Sequence, residues 1–308
     1  MNNYHDRRWR FMRLPFLLLC ALSPNRAHAD EAAASRWTPL PLSSDQYESS
    51  PTFTADGREI FFMRSDTRFQ GYRLLWSRCE KGQWTAPSAA PFAAPSPILE
   101  GDPFVTPDGK RLYYVSSRHA YQNGRGNEDL DVWYVDRQAD GSWSPPMRLP
   151  EPINSAESEL LPRLTAEGRL VFGSSRPGGL GKTDIYIATP RSDGSWKVEN
   201  LGAPVNTAGE EYEADISRDG KTLIVVADRG DRSHLYRFTY ENGRWVEKGR
   251  IPASPDVFQV GPLLSPRGDR LLFAQADGDR SGEIFEIDLS PGSSQDWPPR
   301  CGGSNPRD

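Results

Sequence analysis

Five short stretches of the chain are apolar at consecutive positions: IFFM (60–63), LYYV (112–115), LVF (170–172), LIVV (223–226) and LLFA (271–274). A strand with one wet face alternates apolar and polar residues, so unbroken runs predict strands covered on both faces. Each run follows a turn signal (T-A-D-G, T-P-D-G, T-A-E-G, S-R-D-G or S-P-R-G) ending on Gly57, Gly109, Gly168, Gly220 or Gly268. Pro107 presets the second backbone angle of its turn, and Asp108 and Gly109 suit the later positions, which predicts a tight hairpin. The strand before the turn repeats as well. Nine positions ahead of each glycine stand Glu48, Glu100, Glu159, Glu211 and Gln259; six ahead stands Pro, except for Ala214; three ahead stands Thr or Ser.

Two further segments complete the unit. A third strand reads LLWS (74–77), DVWYV (131–135), DIYIA (184–188), HLYRF (234–238) and EIFEI (283–287), and a fourth follows a G-x-W element at Trp84, Trp143, Trp196 and Trp245. Four strands in roughly 50 residues, with glycine and aromatic marks at set places, predict a propeller blade. The expected fold is therefore all-β: a β-propeller of four-stranded blades, five in number, with six as the alternative. The fifth unit has only three strands before a Pro, Gly and Ser-rich stretch, 290–308, that reads as a flexible tail. Upstream, PLSSDQYE (41–48) matches PINSAESE (152–159) and PVNTAGEE (204–211) position by position. Residues 37–42 are thus expected to supply the missing outer strand of blade five, closing the ring and removing an exposed edge.

The E-x-x-P-x-x-T-x-D-G units, with S-S-R and D-x-Y elements as in SSRPGGLGKTDIY (174–186), resemble the TolB-like, WD40-like propeller repeats called PD40. The likeness runs over about residues 36–289. It implies a propeller and, because TolB-like propellers contact a lipoprotein partner, a scaffold role. Members of the family more often have six or seven blades.

The N-terminus reads as a secretory signal over residues 1–29: arginines at 7, 8, 10 and 13, an apolar stretch from Leu14 to Leu22, and a small-residue site ending at Ala29. A single domain, 30–289, would follow, in the periplasm or secreted. Twin-arginine and lipoprotein readings fit poorly, because WRFM flanks the arginine pair and Leu19 precedes Cys20. Export would leave 32 basic against 41 acidic residues, a net charge of −9, which argues against nucleic acid as partner. The expected partner is a protein or cell-envelope component, and the expected state a monomer without a transmembrane segment. After cleavage only Cys79 and Cys301 remain, either paired or as two free thiols.

Candidate chemistry centres on carboxylates. Glu48, Glu100, Glu159 and Glu211 occupy equivalent positions at the start of each inner strand and are expected to ring one mouth of the central channel. Such a ring suits a cation, a sugar or a basic peptide. Arg118, Arg176 and Arg229 end the second strands of three blades and are the competing partners, pairing with these acids between blades. Asp215 breaks the repeat, since its counterparts are Thr52, Phe104, Arg163 and Leu263; it is the acid to consider for glycoside chemistry. Two readings stand: a binding scaffold without catalysis, and a carbohydrate-active enzyme, hydrolase or lyase, using channel acids. Other motifs fail. GGLGKT (178–183) has Arg176 where a phosphate loop needs its first glycine. His119 and His234, expected in solvent, are too few for an all-histidine metal site. No cofactor or metal is expected.

Overall fold

The computed structural model describes residues 33–126, 129–278 and 280–302; the stretch read as a signal, 1–29, lies outside them. Each repeat folds as an antiparallel sheet in chain order. The inner strands are Tyr47–Phe53, Glu100–Val105, Glu159–Leu164, Glu210–Ile216 and Gln259–Leu264. Each pairs with the strand after its turn, and that strand pairs in turn with the third. The inner strands neighbour one another in sequence order, and the fifth also packs against the first. The parallel pair Tyr47–Gly282 links sheets five and one.

The unbroken apolar runs are covered on both sides, and the covering partners alternate. Ile60 and Phe62 pack with Leu272 and Ile284 of sheet five, whereas Phe61 packs with Leu112 and Tyr114 of sheet two. Tyr113 turns the other way, toward Leu170 and Phe172 of sheet three. Val171 meets sheet four at Leu223 and Val225, and Ile224 and Val226 meet Leu271 and Phe273 of sheet five. Each such side chain removed from water contributes about 1.5–3 kcal/mol, so the sheets are held mainly by facing their neighbours.

The turns follow their chemistry. Gly109 sits at φ +70 and donates its N–H to the Thr106 carbonyl at 2.8 Å, a conformation that costs glycine nothing. The Thr106 hydroxyl donates to Asp108 at 2.6 Å and accepts from the Arg111 amide at 3.0 Å, bracing the hairpin. Thr54 and Ser217 repeat the pattern.

Two expectations about the ends are corrected. The outer partner of sheet five is Ser35–Arg36, opposite Glu286 and Phe285, with Trp37 and Thr38 both donating to the Ile284 carbonyl. The ladder thus lies two residues upstream of the expected 37–42. Pro39 and Pro41 lack amide hydrogens, so 39–42 turns away instead. The tail is not loose through 302. Trp297 packs into the cluster of Trp37, Ile60 and Phe62; Arg270 holds the Ser294 and Trp297 carbonyls; and Cys301 is bonded to Cys79 with the Cα atoms 5.3 Å apart.

Candidate functional site

The four repeated glutamates do not form an open ring. Glu48, Glu159 and Glu211 are fully buried and Glu100 nearly so. Each takes an arginine from its own sheet, which corrects the expected pairing between blades: Arg118 to Glu100 at 2.9 Å, Arg176 to Glu159 at 3.0 Å, Arg229 to Glu211 at 3.5 Å. Arg64, unnoticed in the sequence, does the same for Glu48 at 2.7 Å. The second carboxylate function is to cap the turn before the strand. Glu159 accepts from the Ser155 amide and hydroxyl at 3.0 and 2.6 Å, and Glu211 from those of Thr207 at 2.8 and 2.7 Å. Burial raises the pKa of Glu48, Glu100 and Glu159 against these partners. In sheet five, Gln259 stands in for the acid and contacts His234, which is fully buried rather than solvated. His119 is partly exposed and lies 3.2 Å from Asp131.

A different polar cluster lies where the inner strands converge. Four inner strands have a register shift two residues past the repeated acid or glutamine, with Ser50, Asp102, Leu161 and Gly261 at φ +49, +52, +42 and +64, and in the remaining one, Glu210–Ile216, the shift falls at Tyr212, one residue past Glu211. A bulge of this kind leaves backbone groups without a ladder partner. Side chains from the preceding sheet satisfy inner-strand amides at the bulges and just past them. Asp102 accepts from the Leu161 amide at 3.2 Å, Glu213 from Gly261 at 2.6 Å, Asp215 from Leu264 at 2.5 Å and the Thr52 hydroxyl from Val105 at 3.1 Å. Arg163, with no exposed surface, ties four sheets: it donates to the carbonyls of Pro103 (3.4 Å), Pro162 (3.1 Å) and Pro262 (3.2 Å) and lies 3.5 Å from Asp215. Asp215 is thus part of an inter-sheet staple, and the centre is filled rather than open.

Three acids share one cation there, and burial dominates their titration. Desolvation, against the opposing charge of Arg163, pushes Asp215 up to about 6; desolvation and then the charge of Asp102 push Glu213 up to about 8. A carboxylate whose folded pKa exceeds its unfolded one holds its proton more tightly in the native state. Its stabilisation is complete below the unfolded value and is lost as pH rises through the folded value. For Glu213 that window runs from 4.5 to about 8. Lowered acids such as Asp108 and Asp219 act oppositely, with stability lost only as pH falls below their usual value of 3.8. The midpoint of thermal unfolding is therefore expected to fall steadily from pH 5 to pH 8.5, and Glu213→Gln to flatten the slope. A flat wild-type profile would contradict this electrostatic account.

On the turn side, the ends of all five inner strands surround a funnel of about 150 Å³. Phe104, Leu164, Ile216 and Leu263 give it apolar walls; the nearly buried Asp215, Arg218, and Trp297 and Pro299 of the C-terminal segment line it as well. A larger groove of about 590 Å³ lies between residues 37–41 and the hairpin at Gly82–Trp84, ending on Cys301. Among the described residues no group of three His, Cys, Asp or Glu is placed to hold a metal ion, and no helix is long and apolar enough to cross a membrane.

No protein-family model and no curated protein matches the chain. Solved structures do. A family 117 glycoside hydrolase, Zg3597 from Zobellia galactanivorans, superimposes with a TM-score of 0.53 at 14% identity, covering 86% of this chain and 92% of that one. The α-L-arabinofuranosidase PaAbf62A from Podospora anserina gives 0.52 at 13%, covering 84% and 96%. A TolB-like protein from Agrobacterium tumefaciens gives 0.51 at 15%, covering 80% and 78%. At such identities the likeness speaks for architecture alone: the chain has an all-β fold of the β-propeller type.

Proposed function

We propose that this chain is an exported, monomeric propeller of five blades, the last completed by residues 35–38, that binds a protein or cell-envelope component without catalysis. The observation that carries the binding reading is the state of the acids. Glycoside hydrolysis needs two carboxyl groups flanking a bond that substrate can reach. Here the repeated glutamates are buried against arginines, and of the central acids only Asp215 lines the funnel. The funnel's apolar walls and cationic Arg218 suit a partner's side chain better than a sugar ring. One observation favours the enzyme as second reading: Asp215 in the funnel lining, pushed up to about 6, has the protonation range of a general acid.

Photo-crosslinker placed at Arg218 and, as control, at exposed Tyr240 separates the readings in envelope extract. Adducts specific to position 218, with no sugar released from envelope polysaccharide, are expected. Glycan turnover that Asp215→Asn alone abolishes would sink the scaffold reading.

A further inference from the structure

The groove of about 590 Å³ is lined by one of the two disulfide-bonded cysteines. Cys301 lines it and Cys79 does not, although both are partly exposed; Trp37, Leu40, Pro41, Gln83 and Trp84 also line it. Leu40 projects from the rim, 83% exposed. The C-terminal segment is therefore tied down by a covalent bond beside a large, partly apolar groove. Pro298 is still buried, and past it the other ties are few. Arg300, its side chain 58% exposed, reaches the nearly buried Glu286 at 2.7 Å. Of this segment Arg270 holds the Ser294 and Trp297 carbonyls, so past Pro298 the disulfide is the one covalent tie on residues 299–302. Those residues matter to the funnel: Pro299 lines it, beside Gly57 of the first turn.

We infer that the groove beside Cys301 is a site of thiol–disulfide exchange for a dithiol redox protein, and that exchange there frees residues 299–302 from the turn-side funnel. One thiolate of the dithiol attacks the Cys301 sulfur. The bond to Cys79 breaks, Cys79 leaves as a thiolate and takes up a proton, and a mixed disulfide forms at Cys301. The second thiol then attacks the partner's sulfur, releasing the Cys301 thiol and leaving the partner oxidised. Two electrons and two protons pass to the chain. Freed, 299–302 carries Pro299 out of the funnel wall and widens the mouth. The consequence for partner binding rests on the scaffold reading; the exchange and the release do not, and both can be followed with no partner present.

The test uses the oxidised full chain under native conditions, with dithiothreitol and a reduced C-x-x-C protein as probes. The reduction rate is expected to rise linearly with either dithiol. A plateau at the rate of global unfolding would show the bond to be closed to solvent and overturn the site. Leu40→Asp should slow the C-x-x-C protein several-fold and leave dithiothreitol unaffected; equal rates would remove the groove from the account. After reduction, hydrogen exchange should rise in peptides spanning 296–302 and 52–58 and nowhere else. Cys301→Ser should show the same pattern with no reductant, and a strap still protected in that variant would overturn the release.

Discussion

Replacing Arg163 with methionine is expected to destabilise the fold by about 3–5 kcal/mol, the range for removing one partner of a buried charge pair. Methionine fills most of the space but supplies no charge and no donors. Asp102, Glu213 and Asp215 would then face each other uncompensated, and the carbonyls of Pro103 and Pro262 would lose the guanidinium that bridges them. The loss should be larger at pH 8 than at pH 5, because at the lower pH Glu213 and Asp215 carry protons. Adding Asp102→Asn and Asp215→Asn to Arg163→Met should recover much of it, since the amides keep a carbonyl to accept from Leu161 and Leu264. Urea unfolding at the two pH values checks both statements. Wild-type stability in Arg163→Met would mean the centre does not depend on this cation.

That centre was not legible in the repeat. Aligning five copies makes equivalent residues conspicuous, and the glutamates stood out for that reason. The staple is built from positions where the copies differ: Ser50, Asp102, Leu161, Glu213 and Gly261 in one layer, Thr52, Phe104, Arg163, Asp215 and Leu263 in the next. A shared axis has no room for five identical charges, so the residues that meet there must be unlike. Asp215 was picked out as irregular, yet its irregular neighbours, above all Arg163, are what assign it a structural bond. Arg64 escaped for a simpler reason. It lies 16 residues after Glu48, whereas its counterparts lie 17 or 18 after theirs, because the side chain rather than the residue offset is conserved in space.

The fold was far more readable, because it rests on patterns that only a doubly covered strand needs. LYYV shows why: Tyr113 faces sheet three while Leu112 and Tyr114 face sheet two's other neighbour, so neither parity can be polar. The C-terminal segment carries no such signal. Its proline and glycine content is equally suited to a loose tail and to an irregular strap, and the pairing of Cys79 with Cys301, the packing of Trp297 on the Trp37 cluster and the burial of Pro298 distinguish them.

The segment that completes sheet five should be as costly to remove as a core element, despite contributing only a two-residue strand. Trp37 is 4% exposed, meets Phe53 edge-on with ring centroids 5.5 Å apart, and joins Leu42, Ile60, Phe62, Trp84 and Leu263. Trp37→Ala is expected to cost about 3–5 kcal/mol, the range for emptying a large aromatic site. Leu40→Ala, three residues on and exposed, should stay within about 0.5 kcal/mol. Deleting 35–38 goes further, because the Ile284 amide loses the Thr38 hydroxyl at 2.6 Å and its carbonyl loses both backbone donors. The strand Arg280–Asp288 would then present an unpaired edge, the template on which further chains add. Self-association of the deletion variant, measured by size-exclusion chromatography with light scattering, is the expected result. A monomeric, fully stable deletion, or equal stability losses in Trp37→Ala and Leu40→Ala, would mean that the fifth sheet stands without its N-terminal strand.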